Sequence, residues 1–147
     1  MTNGFLASTP STVRLSASSP ETLAAIFAAE PMVASLPAAD AVTEHVLHGG
    51  MYARTMRLQA GVVLMGALVK LETVLVLNGM VDVFAGEGWT RIGGYNVLAG
   101  EAMRKQVFVT RSAVEMTMIV ATAAKTVDEV ERELTDQFEQ LMTRGEL

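Results

Sequence analysis

The feature that most constrains the fold is a series of short, strand-like segments separated by glycine turns, which runs from Ala41 to Ala121. Asn78-Gly79 is its strongest turn signal, because a type I′ hairpin needs a positive φ at both central residues and this pair tolerates that. The turn predicts a hairpin between Val74–Leu77 and Met80–Phe84. Short strands at regular spacing are typical of a sandwich or a barrel.

Other parts of this region have the same character. Gly49-Gly50 predicts a hairpin between Val42–His48 and Tyr52–Leu58. Ala113–Val120 alternates with period 2 and has mixed polarity on its outer face, which is typical of a strand. Trp89–Ile92 is a further short strand after a glycine-rich turn. The sequence therefore predicts about eight short strands.

Two helices flank the strands. Ser19 is a suitable N-cap and Pro20 fits the first position of a short helix, which Pro31 is expected to end. Thr126 and Glu129 have the spacing of a capping box, which begins a C-terminal helix. The apolar stripe of this second helix has steps of three and four and consists of Val127, Val130, Leu134, Phe138 and Leu141.

Residues 1–20 have the composition of an arm. They are rich in serine, threonine, proline and alanine and carry a single charge, Arg14. We predict an arm over residues 1–20 and one domain over residues 21–147. The composition favours a loosely held tail. The alternative is that apolar residues dock the arm on a neighbouring surface, with Phe5 and Leu6 as interface residues beside Val13 and Leu15.

Charge and composition exclude several classes of protein. The net charge of −5 and a pI of about 5.0 argue against nucleic-acid binding, which needs a basic face. The chain has no cysteine, so a disulfide scaffold, a thiolate nucleophile and a cysteine zinc site are excluded. We see no signal peptide, and no apolar run approaches the roughly 20 residues of a membrane span. We therefore expect neither nucleic acid nor a membrane as a partner.

A set of short motifs lies between His45 and Leu134. They are Gly50–Arg54, Leu58–Gly61, Lys70–Glu72, Asn78-Gly79 with the strand after it, and the helix Val127–Leu134. In these motifs the chain resembles the small cupin-like proteins of tailed bacteriophages. The resemblance implies a mainly β, cupin-like barrel or jelly roll with a short N-terminal helix and a C-terminal helix.

The resemblance also bears on metal binding. Metal-binding cupins take two histidines and a glutamate from a first motif and another histidine from a second. Glu72 matches the glutamate and Gly79 the glycine that follows it, but Gly66 and Leu68 fall at the first two histidines. Lys105 falls at the histidine of the second motif. A divalent metal needs three or four converging ligands, so the comparison implies no metal and no cofactor.

Three functions follow as hypotheses. The missing ligands and the apolar arm favour a non-enzymatic structural or interaction protein. The resemblance then implies a phage-encoded homo-oligomer, carried in the virion or found in the cytoplasm of the bacterial host, with other virion or host proteins as further partners. A second hypothesis is a barrel that binds a nucleotide or sugar through Glu72, Arg54, Lys70 and Lys105. A metal-dependent isomerase or dioxygenase is disfavoured.

Several residues keep two interpretations. Glu72 and Lys105 pair across the barrel interior if the motif alignment holds, whereas Lys105 otherwise points to solvent. Arg54 either pairs with Glu44 on the neighbouring strand or binds an anion. Trp89 is either an exposed interface residue or a cover over one end of the barrel.

Overall fold

The computed structural model describes residues 14–37, 39–86 and 88–141. In these ranges α1 spans Pro20–Ala34, α2 spans Val127–Leu134, and a 3-10 helix spans Phe138–Gln140. The strands are, in chain order, β1 (Arg14–Leu15), β2 (Ala41–His48), β3 (Met51–Leu58), β4 (Val63–Met65), β5 (Thr73–Asn78), β6 (Val81–Phe84), β7 (Trp89–Ile92), β8 (Tyr95–Gly100), β9 (Val107–Thr110) and β10 (Val114–Ala121). Phe5 and Leu6, the predicted interface residues of the arm, lie outside the described residues.

The strands form two sheets that share one core. One sheet has the order β1-β8-β5-β10-β3-β2, and the other has the order β4-β9-β6-β7. Both sheets direct aliphatic side chains into the core, which includes Leu58, Leu75, Leu77, Val81, Val83, Leu98, Phe108, Val114 and Met116. The arrangement confirms the predicted mainly β fold of barrel or jelly-roll type with a helix at each end.

The two predicted hairpin turns have different outcomes. Gly49-Gly50 joins β2 to β3 with φ of 62° and 75°, so that prediction is confirmed. Asn78-Gly79 does not form a hairpin, because β5 and β6 belong to different sheets. Only Gly79 of this pair has a positive φ, of 127°, and a Cβ there would lie 2.6 Å from the carbonyl oxygen of Ala113. The glycine therefore allows the chain to pass close to the backbone of Ala113 as it crosses from one sheet to the other.

Helix α1 begins as predicted and continues beyond the proline expected to end it. The side chain of Ser19 accepts a hydrogen bond from the backbone N of Thr22 at 3.1 Å. Pro31 lies inside the helix, and the N–H of Ser35 donates to the carbonyl of Pro31 at 3.2 Å. Proline removes one hydrogen bond, but its fixed φ is helical, so one more turn follows it.

Helix α2 is shorter than its apolar stripe predicted. The N–H of Glu129 donates to Oγ1 of Thr126 at 3.2 Å, which confirms the predicted cap. The helix ends at Leu134 because Thr135 is extended, with φ of −156° and ψ of 149°. The carbonyl of Leu134 then accepts a hydrogen bond from the N–H of Lys70 at 2.7 Å. The prediction of a longer helix is wrong, since this bond to the barrel replaces a further helical turn.

In the described ranges no helix is long and apolar enough to cross a membrane.

The barrel holds the described part of the predicted arm. Arg14–Leu15 extends the six-stranded sheet as β1, parallel to β8, and Leu15 is buried. The N–H of Ala17 donates to Oε1 of Glu101 at 2.9 Å. The loosely held tail therefore stays a prediction for residues 1–13.

A carboxylate bonded by two arginines ties the four-stranded sheet together. Asp82 on β6 accepts hydrogen bonds from Nε of Arg91 at 2.8 Å and from Nε of Arg111 at 2.7 Å. The hydrogen bonds from Arg91 and then Arg111 hold the pKa of Asp82 far below its ordinary value of 3.8, although partial desolvation acts to raise it. The carboxylate therefore stays ionised to a lower pH than a free aspartate does.

The substitution Asp82→Asn is expected to remove a pH-dependent part of the stability. Because the pKa of Asp82 is lower in the folded chain than in the unfolded chain, its contribution is complete above the unfolded value and is lost as the pH falls. The difference in unfolding free energy between wild type and Asp82→Asn should shrink from about pH 5 to about pH 3. Urea unfolding at several pH values measures this difference, and a constant difference would contradict the assignment.

Candidate functional site

The ammonium of Lys105 is buried at one end of the barrel. Its Nζ donates to the carbonyl oxygen of Gly66 at 2.7 Å and to Oε1 of Gln137 at 3.1 Å. It also forms an ion pair with Oε1 of Glu30 at 2.6 Å and lies 4.8 Å from the ring centroid of Phe27. Only 1% of the Lys105 side chain is exposed. These partners take the place of the water that an ammonium loses on burial.

Separate parts of the chain position this lysine. Gly66 follows β4, and a Cβ on it would lie 3.3 Å from the carbonyl oxygen of Gln106, so glycine permits the close approach of the two strands. Oγ of Ser18, two residues before α1, accepts from the N–H of Lys105 at 2.8 Å and donates to its carbonyl at 3.2 Å. Glu30 comes from the C-terminal part of α1. The lysine therefore joins α1 to the strand ends and to the segment after α2.

The electrostatics of Glu30 fit an ion pair. Burial acts to raise the pKa of Glu30, but hydrogen bonds from Lys105 and Gln137 and the charge of the ammonium outweigh it. The pKa of Glu30 is therefore below its ordinary value of 4.5. Nε2 of Gln137 donates to Oε1 of Glu30 at 3.0 Å, so the amide bridges the two charged groups.

The predicted pair between Glu72 and Lys105 is not formed. Glu72 is exposed and directly precedes Thr73, the first residue of β5, whose side chain is buried. Since neighbouring residues of an extended chain point to opposite faces, Glu72 points away from the interior. Lys105 binds Glu30 instead. The alternative that Lys105 points to solvent is also wrong.

The residues at the positions that the resemblance assigns to metal ligands do not fit a metal ion. Gly66 and Leu68 carry no ligating side chain, and Glu72 is exposed. The ammonium of Lys105 donates a hydrogen bond to the carbonyl oxygen of Gly66. Across residues 14–37, 39–86 and 88–141, no group of three histidine, aspartate or glutamate side chains could hold a metal ion. An ammonium at this point would repel a divalent cation.

Arg54 forms a second buried ion pair, with a different partner from the predicted one. Its Nη1 donates to Oε2 of Glu131 on α2 at 3.0 Å, and the two side chains are 7% and 3% exposed. Arg54 lies on the inner face of β3, whereas Glu44 lies on the outer face of β2 and pairs with Arg57. The predicted Arg54–Glu44 pair is therefore wrong, because the two residues are on opposite faces of the sheet.

Tyr52 and His45 extend this buried group. Tyr52 is fully buried, its hydroxyl lies 2.5 Å from Nδ1 of His45, and the two rings stack with centroids 5.8 Å apart. Burial raises the pKa of Tyr52 above its ordinary value of 10.0, Glu131 adds to this, and Arg54 acts the other way. The phenol therefore stays neutral, and the group joins β2 and β3 to α2.

The remaining predicted residues lie on the surface. Nζ of Lys70 pairs with the exposed Asp136 at 2.8 Å. Trp89 is 57% exposed on the edge strand β7, where its ring lies 5.5 Å from that of Phe84 between centroids. This exposure suits the predicted interface residue better than a cover over the barrel.

Two surface cavities lie away from the predicted ligand residues. One, of about 430 Å³, is lined by residues 40–42, 57–59 and Ala113. The other, of about 290 Å³, is lined by residues 47–50, Thr122, Ala124 and Lys125. Neither includes any of the four residues predicted to bind a small molecule.

The outer face of the six-stranded sheet carries an apolar row. The strand registers align Val46, Ala53, Ile119, Val74 and Ala99 across five strands. Val46 is 60% exposed and Val74 is 43% exposed. Further exposed apolar residues on this face are Val42, Met51, Tyr95 and Val97. Contiguous apolar surface of this kind marks interaction sites.

Comparisons with known proteins identify the fold. No family model matches the chain, and no curated protein matches it. The cupin 2 conserved barrel domain protein from Leptotrichia buccalis is similar with a TM-score of 0.50 and 16% identity, over 65% of this chain and 48% of that one. The chain therefore has the fold of the cupin superfamily. At this identity the similarity establishes the fold alone.

Two further cupin structures are also similar. A cupin superfamily protein from Desulfitobacterium hafniense has a TM-score of 0.48 and 11% identity, over 63% of this chain and 88% of that one. A cupin family protein with a double-stranded β-helix fold from Methanocaldococcus jannaschii has a TM-score of 0.48 and 12% identity, over 58% and 83%. None of these three structures comes from a bacteriophage.

Proposed function

We propose that this chain is a metal-free cupin barrel that acts as a non-enzymatic structural or interaction protein. The observation that carries the proposal is the buried ion pair of Lys105 with Glu30. The sequence resemblance assigns the position of Lys105 to a metal-binding histidine. An ion pair there supplies neither an open coordination position nor a reactive group.

The outer face of the six-stranded sheet supports an interaction role. Its apolar row gives a partner a surface to cover, and Trp89 adds an exposed aromatic side chain on the other sheet. The partner in this proposal is a second copy of the chain or another protein. A place in a virion, as the resemblance to phage proteins implies, is the most specific form of the proposal.

The small-molecule alternative has less support. It needs polar side chains that converge on a cavity. Arg54 and Lys105 are buried against Glu131 and Glu30, while Lys70 pairs with Asp136 at the surface. The four predicted ligand residues therefore point to different places.

Native mass spectrometry of the full chain, purified and then incubated with Zn²⁺, Mn²⁺, Fe²⁺ or Ni²⁺ and desalted, tests the proposal. We expect a whole-number multiple of the 15.7 kDa chain with no added mass, because a paired ammonium occupies the position that the resemblance assigns to a histidine ligand. The denatured mass of the same sample is the control. One metal ion per chain, or a bound organic molecule of a few hundred daltons, would contradict the proposal.

A further inference from the structure

Strand β2 is a long, regular edge of the six-stranded sheet. Among the described strands it pairs with β3 alone, and all eight residues of Ala41–His48 are in continuous register, so it has no bulge. It also contains neither proline nor lysine. Proteins commonly protect long edge strands with one of these devices. The opposite edge, β1, has only two residues, so β2 is the edge best suited to pair with another strand.

The backbone of β2 is oriented for such pairing. In a two-residue hairpin the residues that flank the turn bond to each other, and alternate residues then direct N–H and C=O away from the hairpin. His48 flanks Gly49-Gly50, so Thr43 and Leu47 direct their backbone groups to the open side of β2. Within the described residues neither forms a backbone hydrogen bond beyond the β2–β3 ladder.

We propose that β2 pairs antiparallel with β2 of a second copy, which joins the two six-stranded sheets into one continuous sheet. This inference rests on the proposed function and names its partner. The outer face of β2 is self-complementary in one register. There Val46 lies opposite Val46 of the second copy, and Glu44 lies opposite its His48, whose ring N–H can donate to the carboxylate.

Neighbouring registers are less favourable. A shift by one step of the ladder places Glu44 opposite Val46, so a charge faces an apolar side chain. A further step places Glu44 opposite Glu44, which is repulsive. Within one chain Glu44 and His48 are four residues apart on a strand, about 13 Å, so they do not contact each other without the second copy.

A proline substitution at the open edge tests the backbone part of the proposal. In the proposed register Leu47 lies opposite His45 of the second copy, and Leu47→Pro removes an N–H that points away from β3. Sedimentation velocity should show a wild-type dimer, and Leu47→Pro should raise its dissociation constant at least about tenfold. The matched control Leu47→Ala also shortens the side chain but keeps the N–H, and it should stay within about threefold of wild type.

A charge-swap cycle tests the register and does not depend on the proline variant folding. Glu44→Lys places a lysine opposite His48, and His48→Glu places two glutamates together, so each should weaken the dimer at least about fivefold. The double variant, Glu44→Lys with His48→Glu, places a lysine at position 44 opposite a glutamate at position 48. The facing charges are again opposite, so its dissociation constant should return to within about threefold of wild type. Glu44→Lys also loses the pair with Arg57, but that loss is the same in the double variant.

The outcomes separate this inference from the proposed function. A wild-type monomer at every concentration, a Leu47→Pro dimer as tight as that of Leu47→Ala, or a double variant as weak as the single ones would each overturn β2 pairing. If Val74→Lys abolishes the dimer and Leu47→Pro leaves it intact, the interface lies on the apolar row. That result also overturns β2 pairing but supports the interaction role. A bound metal overturns the proposed function whatever the association state.

Discussion

Replacing Glu131 with glutamine is expected to lower the free energy of unfolding by about 3–5 kcal/mol. The substitution keeps the shape of the side chain and removes its charge, which leaves the guanidinium of Arg54 buried without its carboxylate. Urea unfolding followed by circular dichroism at neutral pH measures the loss. Double substitution by Arg54→Met and Glu131→Met should recover part of it, because no unpaired charge is then buried.

The same helix offers a matched control. Asp128 and Arg132 on α2 also form an ion pair, at 2.9 Å, but their side chains are 53% and 54% exposed. Solvent screens such a pair, so Asp128→Asn should cost no more than about 1 kcal/mol, including its effect on the helix N-terminus. If Glu131→Gln costs no more than Asp128→Asn, the apolar contacts of Val130 and Leu134 alone hold α2 on the barrel.

Strand positions were predictable from the sequence because alternation is a local signal. The predicted strand Val42–His48 is one residue shorter than β2, and the predicted strand Ala113–Val120 is shifted by one residue from β10. The partner of a strand is not a local property, as Asn78-Gly79 shows. Val81 and Val83 are almost fully buried in the core on the second sheet, and this burial outweighs the tendency of the turn to form a hairpin.

The candidate site was predictable only in part. The sequence identified Arg54 and Lys105 as unusual, but both carboxylates that bind them were missed. Arg54 and Glu131 are 77 positions apart, so no local pattern joins them. One signal was present, because Glu131 falls at helical spacing within the stripe of Val130 and Leu134, and a carboxylate on an apolar face needs a buried cation. Glu30 had no such signal, since α1 is apolar on most sides and its sequence does not mark one buried face.

Replacing Lys105 with methionine is expected to lower the free energy of unfolding by about 2–4 kcal/mol. Methionine fills nearly the same volume, but it cannot donate to the carbonyl of Gly66 or to Gln137, and it leaves Glu30 without its cation. Urea unfolding at neutral pH measures the loss. Hydrogen exchange should also quicken in the C-terminal half of α1, because Lys105 ties that part of the helix to the segment after α2.

Lys70→Met is the matched control for this substitution. Lys70 also pairs with a carboxylate at 2.8 Å, but its partner Asp136 is 85% exposed, so the change should cost less than about 1 kcal/mol. A larger loss for Lys105→Met than for Lys70→Met would mean that the ammonium holds this end of the barrel closed. Equal losses would mean that Ile26 and Phe27 close it by apolar packing, and the ion pair of Lys105 with Glu30 would then no longer support a barrel closed to ligands.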